Sequence, residues 1–118
     1  MADFGLFIGF GSAARGRERQ AIKVFNEAGE YYSRLQQEGE IEGFEPVFLE
    51  PHGGDLIGFF LIRGDRDKLA RIRSSDEFAR LNLRAALITE NLGVVGAQLG
   101  ERVATQLGVY NEQVEELT

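Results

Sequence analysis

The sequence predicts an α+β fold: a four-stranded antiparallel sheet with two helices on one side, in the order β-α-β-β-α-β. Three observations carry this. Four short runs, Phe4–Phe10 and residues 44–49, 56–62 and 92–99, are apolar on both faces. Helix-period stretches separate the first run from the second and the third from the fourth, while a turn joins the second to the third. Pro46, which has no N–H to donate to a ladder, places the second strand at a sheet edge. With right-handed crossovers, these features predict the spatial order 4-1-3-2.

Strand one alternates Phe4, Leu6, Ile8 and Phe10 with Gly5, Phe7, Gly9 and Gly11, a period of two. Gly11-Ser12 turns the chain, and Ser12 is a helix-capping type. The first helix is expected over residues 16–37, with Ile22, Phe25, Gly29, Tyr32 and Leu35 inward, Tyr31 outward and Gly39 closing it. The run Glu50-Pro51-His52-Gly53-Gly54-Asp55 is turn chemistry, so strands two and three form a hairpin. Strand three is the most apolar run and reads as central. Asp65 then caps a short helix bearing Leu69 and Ile72. Ser74 and Glu77 fit a capping box opening the next helix, which turns Phe78, Leu81 and Ala85 inward. Beyond strand four, Val103, Leu107, Tyr110, Val114 and Leu117 recur at heptad-like spacing, a helical seam suited to docking on its own or a partner subunit. Residues 1–100 thus read as the α+β domain and 101–118 as its C-terminal helical arm.

Two helices cover only one sheet face. Exposing the apolar side chains of the other would forgo roughly 1.5–3 kcal/mol each, so a homodimer paired sheet to sheet is expected. The C-terminal helix is the rival cover, ranked second because a helix is about 10 Å wide and the sheet about twice that.

Composition narrows the function. A chain of 118 residues fits one domain. There is no cysteine, hence no disulfide framework, thiolate nucleophile or Cys-based zinc site. A net charge of -6 disfavours a general nucleic-acid binder. No run approaches a membrane span, and Met1-Ala2-Asp3 lacks the basic start of a signal peptide, so a cytoplasmic protein without membrane partners is expected. Of thirteen Lys and Arg residues, only Lys23 and Lys68 are lysine.

The segments Phe59-Phe60-Leu61-Ile62-Arg63-Gly64-Asp65 and Ser74-Ser75-Asp76-Glu77-Phe78, set in this strand order, resemble the strand-to-helix passage and helix-opening turn of the ferredoxin-like fold. The two-sided apolar sheet resembles that fold's dimeric α/β-barrel branch, which includes antibiotic-biosynthesis-type monooxygenases, muconolactone-isomerase-like, EthD-like and stress-responsive barrel proteins. The resemblance covers residues 3 to 99. It implies a pocket between sheet and helices in each subunit, often used on small organic molecules.

Candidate chemistry is sparse. Gly9-Phe10-Gly11-Ser12-Ala13-Ala14 matches the dinucleotide fingerprint G-x-G-x-x-A after a strand. Its context fails, because the acidic position about twenty residues on falls inside the first helix and a hairpin follows. His52 is the only histidine, and Glu50 and Asp55 flank it, so it is the candidate catalytic base; Pro-His-Gly-Gly is also ordinary turn composition. One histidine with scattered carboxylates lacks metal-ligand spacing, so no metal site and no tightly bound cofactor are expected. The candidate ligand-binding residues are Phe7, Gly9, Tyr32, Phe60 and Asn91, with Asn82 a further polar group able to reach the pocket. Arg63, ending a central strand, is placed either to neutralise an acidic substrate or to pair with Asp65 or Asp67. Arg66, Arg73, Arg80 and Arg84 read as a solvated face.

Two function classes follow. The first is a small-molecule binder or enzyme; if an enzyme, a cofactor-independent monooxygenase or isomerase-like activity is expected. The second is a non-catalytic dimeric module that works through its C-terminal helix. A pocket faced by Tyr32 or His52 favours the first. A collapsed Phe-packed interior with an exposed 103–117 stripe favours the second.

Overall fold

The computed structural model describes residues 3–118; Met1 and Ala2 of the expected non-signal start lie outside the described residues. Strands β1 (Phe4–Phe10), β2 (Gly43–Phe48), β3 (Gly58–Gly64) and β4 (Gly93–Gln98) form one sheet in the order β2-β3-β1-β4, antiparallel throughout. This is the expected order. Leu6 faces Ile62 on one side and Gly96 on the other, and Ile8 faces Phe60 and Val94. Pro46 sits on the edge strand β2.

Helices α1 (Glu18–Gln37), α2 (Arg66–Arg73) and α3 (Asp76–Ile88) pack on one face, and α4 (Glu101–Leu117) follows β4. The core joins Leu6, Ile8, Phe60 and Ile62 of the sheet to Val24, Ala28, Tyr32 and Leu35 of α1. Leu69 and Ile72 of α2, and Phe78, Leu81 and Ile88 of α3, complete it. Strand residues alternate faces, so Phe7, Phe59 and Leu61 project from the opposite, helix-free side, where Phe7 and Phe59 lie 4.8 Å apart.

Local chemistry explains the helix ends. Asp65 caps α2 by accepting from the Asp67 and Lys68 amides, both at 3.1 Å. The cap of α3 is Ser75, one residue later than the expected Ser74: its hydroxyl accepts from the Phe78 N–H, while Ser74 closes α2 and donates to the Ala70 carbonyl. The caps thus make α2 and α3 separate helices. Gly39, at φ +75°, follows α1 in the left-handed conformation that ends helices.

The α1 stripe is rotated from expectation. Helix geometry starts at Glu18 rather than residue 16, and Val24, Ala28, Tyr31, Tyr32 and Leu35 are the buried set. Ile22 lies about 200° round the helix from Val24 and is exposed. Tyr31, expected outward, is buried because the start of α3 lies over that side of α1. There its ring packs against Tyr32 and under the Arg34 guanidinium, which also holds Glu77. Arg63 pairs with Glu45 across the β2–β3 ladder at 3.6 Å, since the side chain points across the sheet and not along the chain toward Asp65.

No residue of α4 is buried. The radius of gyration, 16.2 Å, exceeds the ~13 Å of a compact chain of about 100 residues, as a projecting 17-residue helix requires. The rival cover is therefore not laid across its own sheet: Val103, Leu107, Tyr110, Val114 and Leu117 all remain exposed. No helix among the described residues is long and apolar enough to cross a membrane.

Candidate ligand cavity

A cavity of about 60 Å³ lies between the sheet and the α1–α3 pair. Ile8, Phe10 and Phe60 form its floor. Val24, Phe25, Ala28 and Tyr32 form one wall, and Leu81, Asn82, Ala85 and Ile88 the other, with Thr89 and Leu92 at the end. The space exists because Ala21, Ala28 and Ala85 occupy inward helix positions where longer side chains would meet. It holds more than one water but is well below the ~300 Å³ of a pocket for a drug-sized ligand.

Three polar groups line this apolar space. The Asn82 amide donates to the Phe78 carbonyl at 2.9 Å, and the Thr89 hydroxyl donates to Ala85 at 2.8 Å. One Asn82 N–H and the Thr89 hydroxyl proton are thereby used within α3 or at its end, which leaves the second Asn82 N–H as a donor and the Asn82 Oδ1 and the Thr89 oxygen as acceptors. Tyr32 is only 1% exposed. Its hydroxyl makes no hydrogen bond with any described residue, and its ring is fixed against Phe60 and Phe44 at 5.1 and 5.8 Å. Burial, and secondarily the neighbouring Tyr31, push its phenol well above the usual value of 10.0. Tyr32 is therefore a neutral hydrogen-bond donor at physiological pH and not a base.

An aromatic series leads from this interior to the surface. Phe60 packs on Phe25 at 5.0 Å, and Phe25 stacks on Phe48 at 5.1 Å. Phe10 meets Phe25 and Phe48 edge-on, both at 6.2 Å. Phe48 is largely exposed and extends the set beyond the cavity rim.

The structure divides the expected site residues. Tyr32 and Phe60 meet at the cavity, joined by Asn82. Phe7 and Gly9 do not: the two-residue period that turns Ile8 inward turns them to the helix-free side. Asn91 is exposed at φ 57°, in the left-handed turn between α3 and β4, while its neighbours Thr89 and Leu92 reach the cavity. His52 is exposed in the β2–β3 connection and does not line the sheet–helix cavity. Its Nδ1 accepts from the Gly54 N–H at 3.1 Å, which leaves the Nε2 proton to donate to the Leu56 carbonyl at 2.7 Å. Gly11 of the glycine-rich turn serves close packing, since a Cβ there would stand 2.7 Å from the Glu90 carbonyl oxygen. Thr89, Ala21 and Ala28 went unrecognised, and Ala85 was expected only as an inward helix position; the sequence signal of the alanines is smallness at inward positions, visible only once the helix phase is known. Among the described residues, no three His, Cys, Asp or Glu side chains gather to hold a metal ion.

No protein-family model matches the sequence, and no curated protein matches it. Solved structures do match. A DABB-family protein with a ferredoxin-like fold from Mesorhizobium loti is 13% identical, with a TM-score of 0.62, over 83% of this chain and 99% of that one. SnoaB, a cofactor-independent oxygenase from Streptomyces nogalater, is 15% identical with a TM-score of 0.56, over 84% and 95%. A dimeric protein of unknown function and ferredoxin-like fold from Bacteroides fragilis is 13% identical with a TM-score of 0.57, over 81% and 96%. At these identities the likeness shows the fold alone. The chain has the ferredoxin-like α+β fold that its strand order predicts, the architecture shared by these α/β proteins.

Proposed function

We propose that the protein is a homodimer, paired through the helix-free faces of two sheets, whose subunits each bind or transform a small, largely apolar organic molecule in the sheet–helix cavity. In this reading residues 1–100 form the barrel domain and 101–118 an arm. The observation that carries it is the apolar sheet–helix cavity with the nearly buried Tyr32 phenol on its wall. A ligand oxygen would supply an acceptor for its hydroxyl. Asn82 and Thr89 offer acceptors to a ligand hydroxyl, and the Phe–Leu–Ile lining holds an apolar body. A neutral phenol of this kind stabilises a developing oxyanion by donation. Any reaction would therefore be cofactor-independent or use a diffusible cofactor, without a tightly bound metal. We assign His52 to holding its turn, because both ring nitrogens are engaged there. The dimeric Bacteroides protein and the Streptomyces oxygenase support the reading by analogy of fold only.

Thermal-shift screening with small alcohols, ketones, phenols and aromatic acids, matched to the size of the cavity, tests it. Stabilisation by a ligand, abolished in Tyr32→Phe, is the expected result. The absence of stabilisation by any of them would turn the assignment to the second class.

That second reading, a dimeric interaction module, is favoured by one observation: the apolar stripe of α4 has no cover. Substituting Leu107 and Tyr110 by Asp leaves ligand stabilisation intact under the first reading. Under the second, it removes assembly beyond the dimer in light scattering.

A further inference from the structure

The geometry points to an anion-binding groove between α2 and the β4 edge, distinct from the sheet–helix cavity and suited to a small molecule bearing a carboxylate or phosphate group. The groove, about 350 Å³, lies at the Phe4 end of β1. Arg66 and Arg73 stand seven residues apart on α2, about two helical turns, and so share the face that Leu69 and Ala70 complete. Gly96 and Gln98 of β4 lie across from them. The groove is open because α2 packs over β1 and not over the edge strand, and because Gly96 has no side chain: a Cβ there would meet nothing within 4 Å.

The charge in this groove is not neutralised. The protein carries a net charge of -6, and Arg34, Arg63 and Arg84 each pair with a glutamate. Arg66 and Arg73 have no carboxylate partner among the described residues, although Asp67 adjoins Arg66 in the chain. Arg73 donates to the Val94 carbonyl at 3.1 Å, which ties it across the end of the groove. Arg66 lies over the Phe4 ring at 5.4 Å, and Arg102, from the start of α4, lies over the same ring at 5.6 Å. Arg102 Nε is closed off from water with no acceptor, although Glu101 adjoins it in the chain and Asp3, whose carbonyl accepts from the Leu99 N–H, lies near the start of α4. Buried donors without partners are rare, and unpaired like charges gathered on one ring repel. An anion between the α2 arginines would offset the repulsion at Arg66, since planar guanidinium forks suit carboxylate and phosphate oxygens. A solvated basic helix face would leave its guanidinium groups free to spread into water; here Arg73 and Arg102 are held by Val94 and Phe4.

Calorimetric titration of the full chain at low salt tests the site, with inorganic phosphate, pentanedioate and the neutral pentane-1,5-diol as probes. Saturable binding of one anion per chain is expected for phosphate, pentanedioate or both, and none for the diol; which anion binds identifies the head group. Arg66→Ala and Arg73→Ala should each weaken binding by about tenfold or more, and Gly96→Leu, which fills the groove, should abolish it. Arg71→Ala, on the same helix but outside the groove, should leave it unchanged. Failure of both anions to bind overturns the site. So does equal weakening by Arg71→Ala, or binding undiminished in Gly96→Leu with native circular dichroism. Tyr32→Phe should not alter anion binding, so this test stands or falls independently of the cavity.

Discussion

Leu6 and Phe7 are neighbours in β1, yet Leu6 is 4% exposed against the helices while Phe7 projects from the bare side with Phe59 and Leu61. Both faces carry large apolar side chains, the bare one beside glycines and the Arg63–Glu45 pair, and they differ in what covers them. On one, three helices and their caps have already removed the apolar surface from water, so its residues act through the stability of the single chain. On the other, Val95 is still 54% exposed, and its neighbours gain most from burial only when something further arrives. Core residues therefore report on folding, and bare-face residues on assembly.

The comparison can be broken most sharply at Ile62, which is 0% exposed at the centre of the covered face. Ile62→Ala should cost about 2–5 kcal/mol in urea unfolding, from lost transfer energy and a residual cavity. On the bare face, Phe59→Asp should keep native circular dichroism but shift light scattering from the dimer to a 13.1 kDa monomer. A Phe59→Asp protein that unfolds as Ile62→Ala does, or a wild type that is already monomeric, would erase the distinction between the faces.

A smaller effect belongs to the cavity. The Tyr32 phenol has its pKa raised in the fold, so the folded state holds its proton more tightly than the unfolded state. Its contribution is complete below pH ~10 and is lost as pH climbs above that value toward the folded pKa. Tyr32→Phe should flatten the alkaline fall in stability, with Tyr31, whose phenol burial also raises, sustaining the remainder. At neutral pH the substitution should change stability by less than about 1 kcal/mol, because no hydrogen bond is lost. A loss beyond that would reveal a partner for the hydroxyl in the free protein.

The smallest expected change is at the surface. Arg84 makes a two-pronged pair with Glu27, both contacts at 3.0 Å, between α3 and α1. With half of the arginine side chain in solvent, Arg84→Ala should cost about 0.2–1 kcal/mol, less at high salt. It should leave both the oligomeric state and ligand binding unaltered.

The sequence by itself determined the order of elements, the strand pairing and the edge position of β2. These follow from local rules: a period of two, a proline without a donor, a turn-rich hairpin and handed crossovers. It determined Tyr32 and Phe60 as inward residues and allowed Asn82. Tertiary structure decided the rest. The phase of α1 exposed Ile22 and buried Tyr31, because α3 packs over a side of the helix that periodicity alone does not mark. Phe7 and Gly9 left the cavity because membership of a face is decided by which side the helices take, and an apolar pattern on both faces is silent about that. The position of α4 was decided by where β4 ends. The pairing of Arg66 and Arg73 with Gly96 and Gln98 joins residues about thirty positions apart, and no local spacing encodes a contact that exists only once a helix has settled beside a sheet edge.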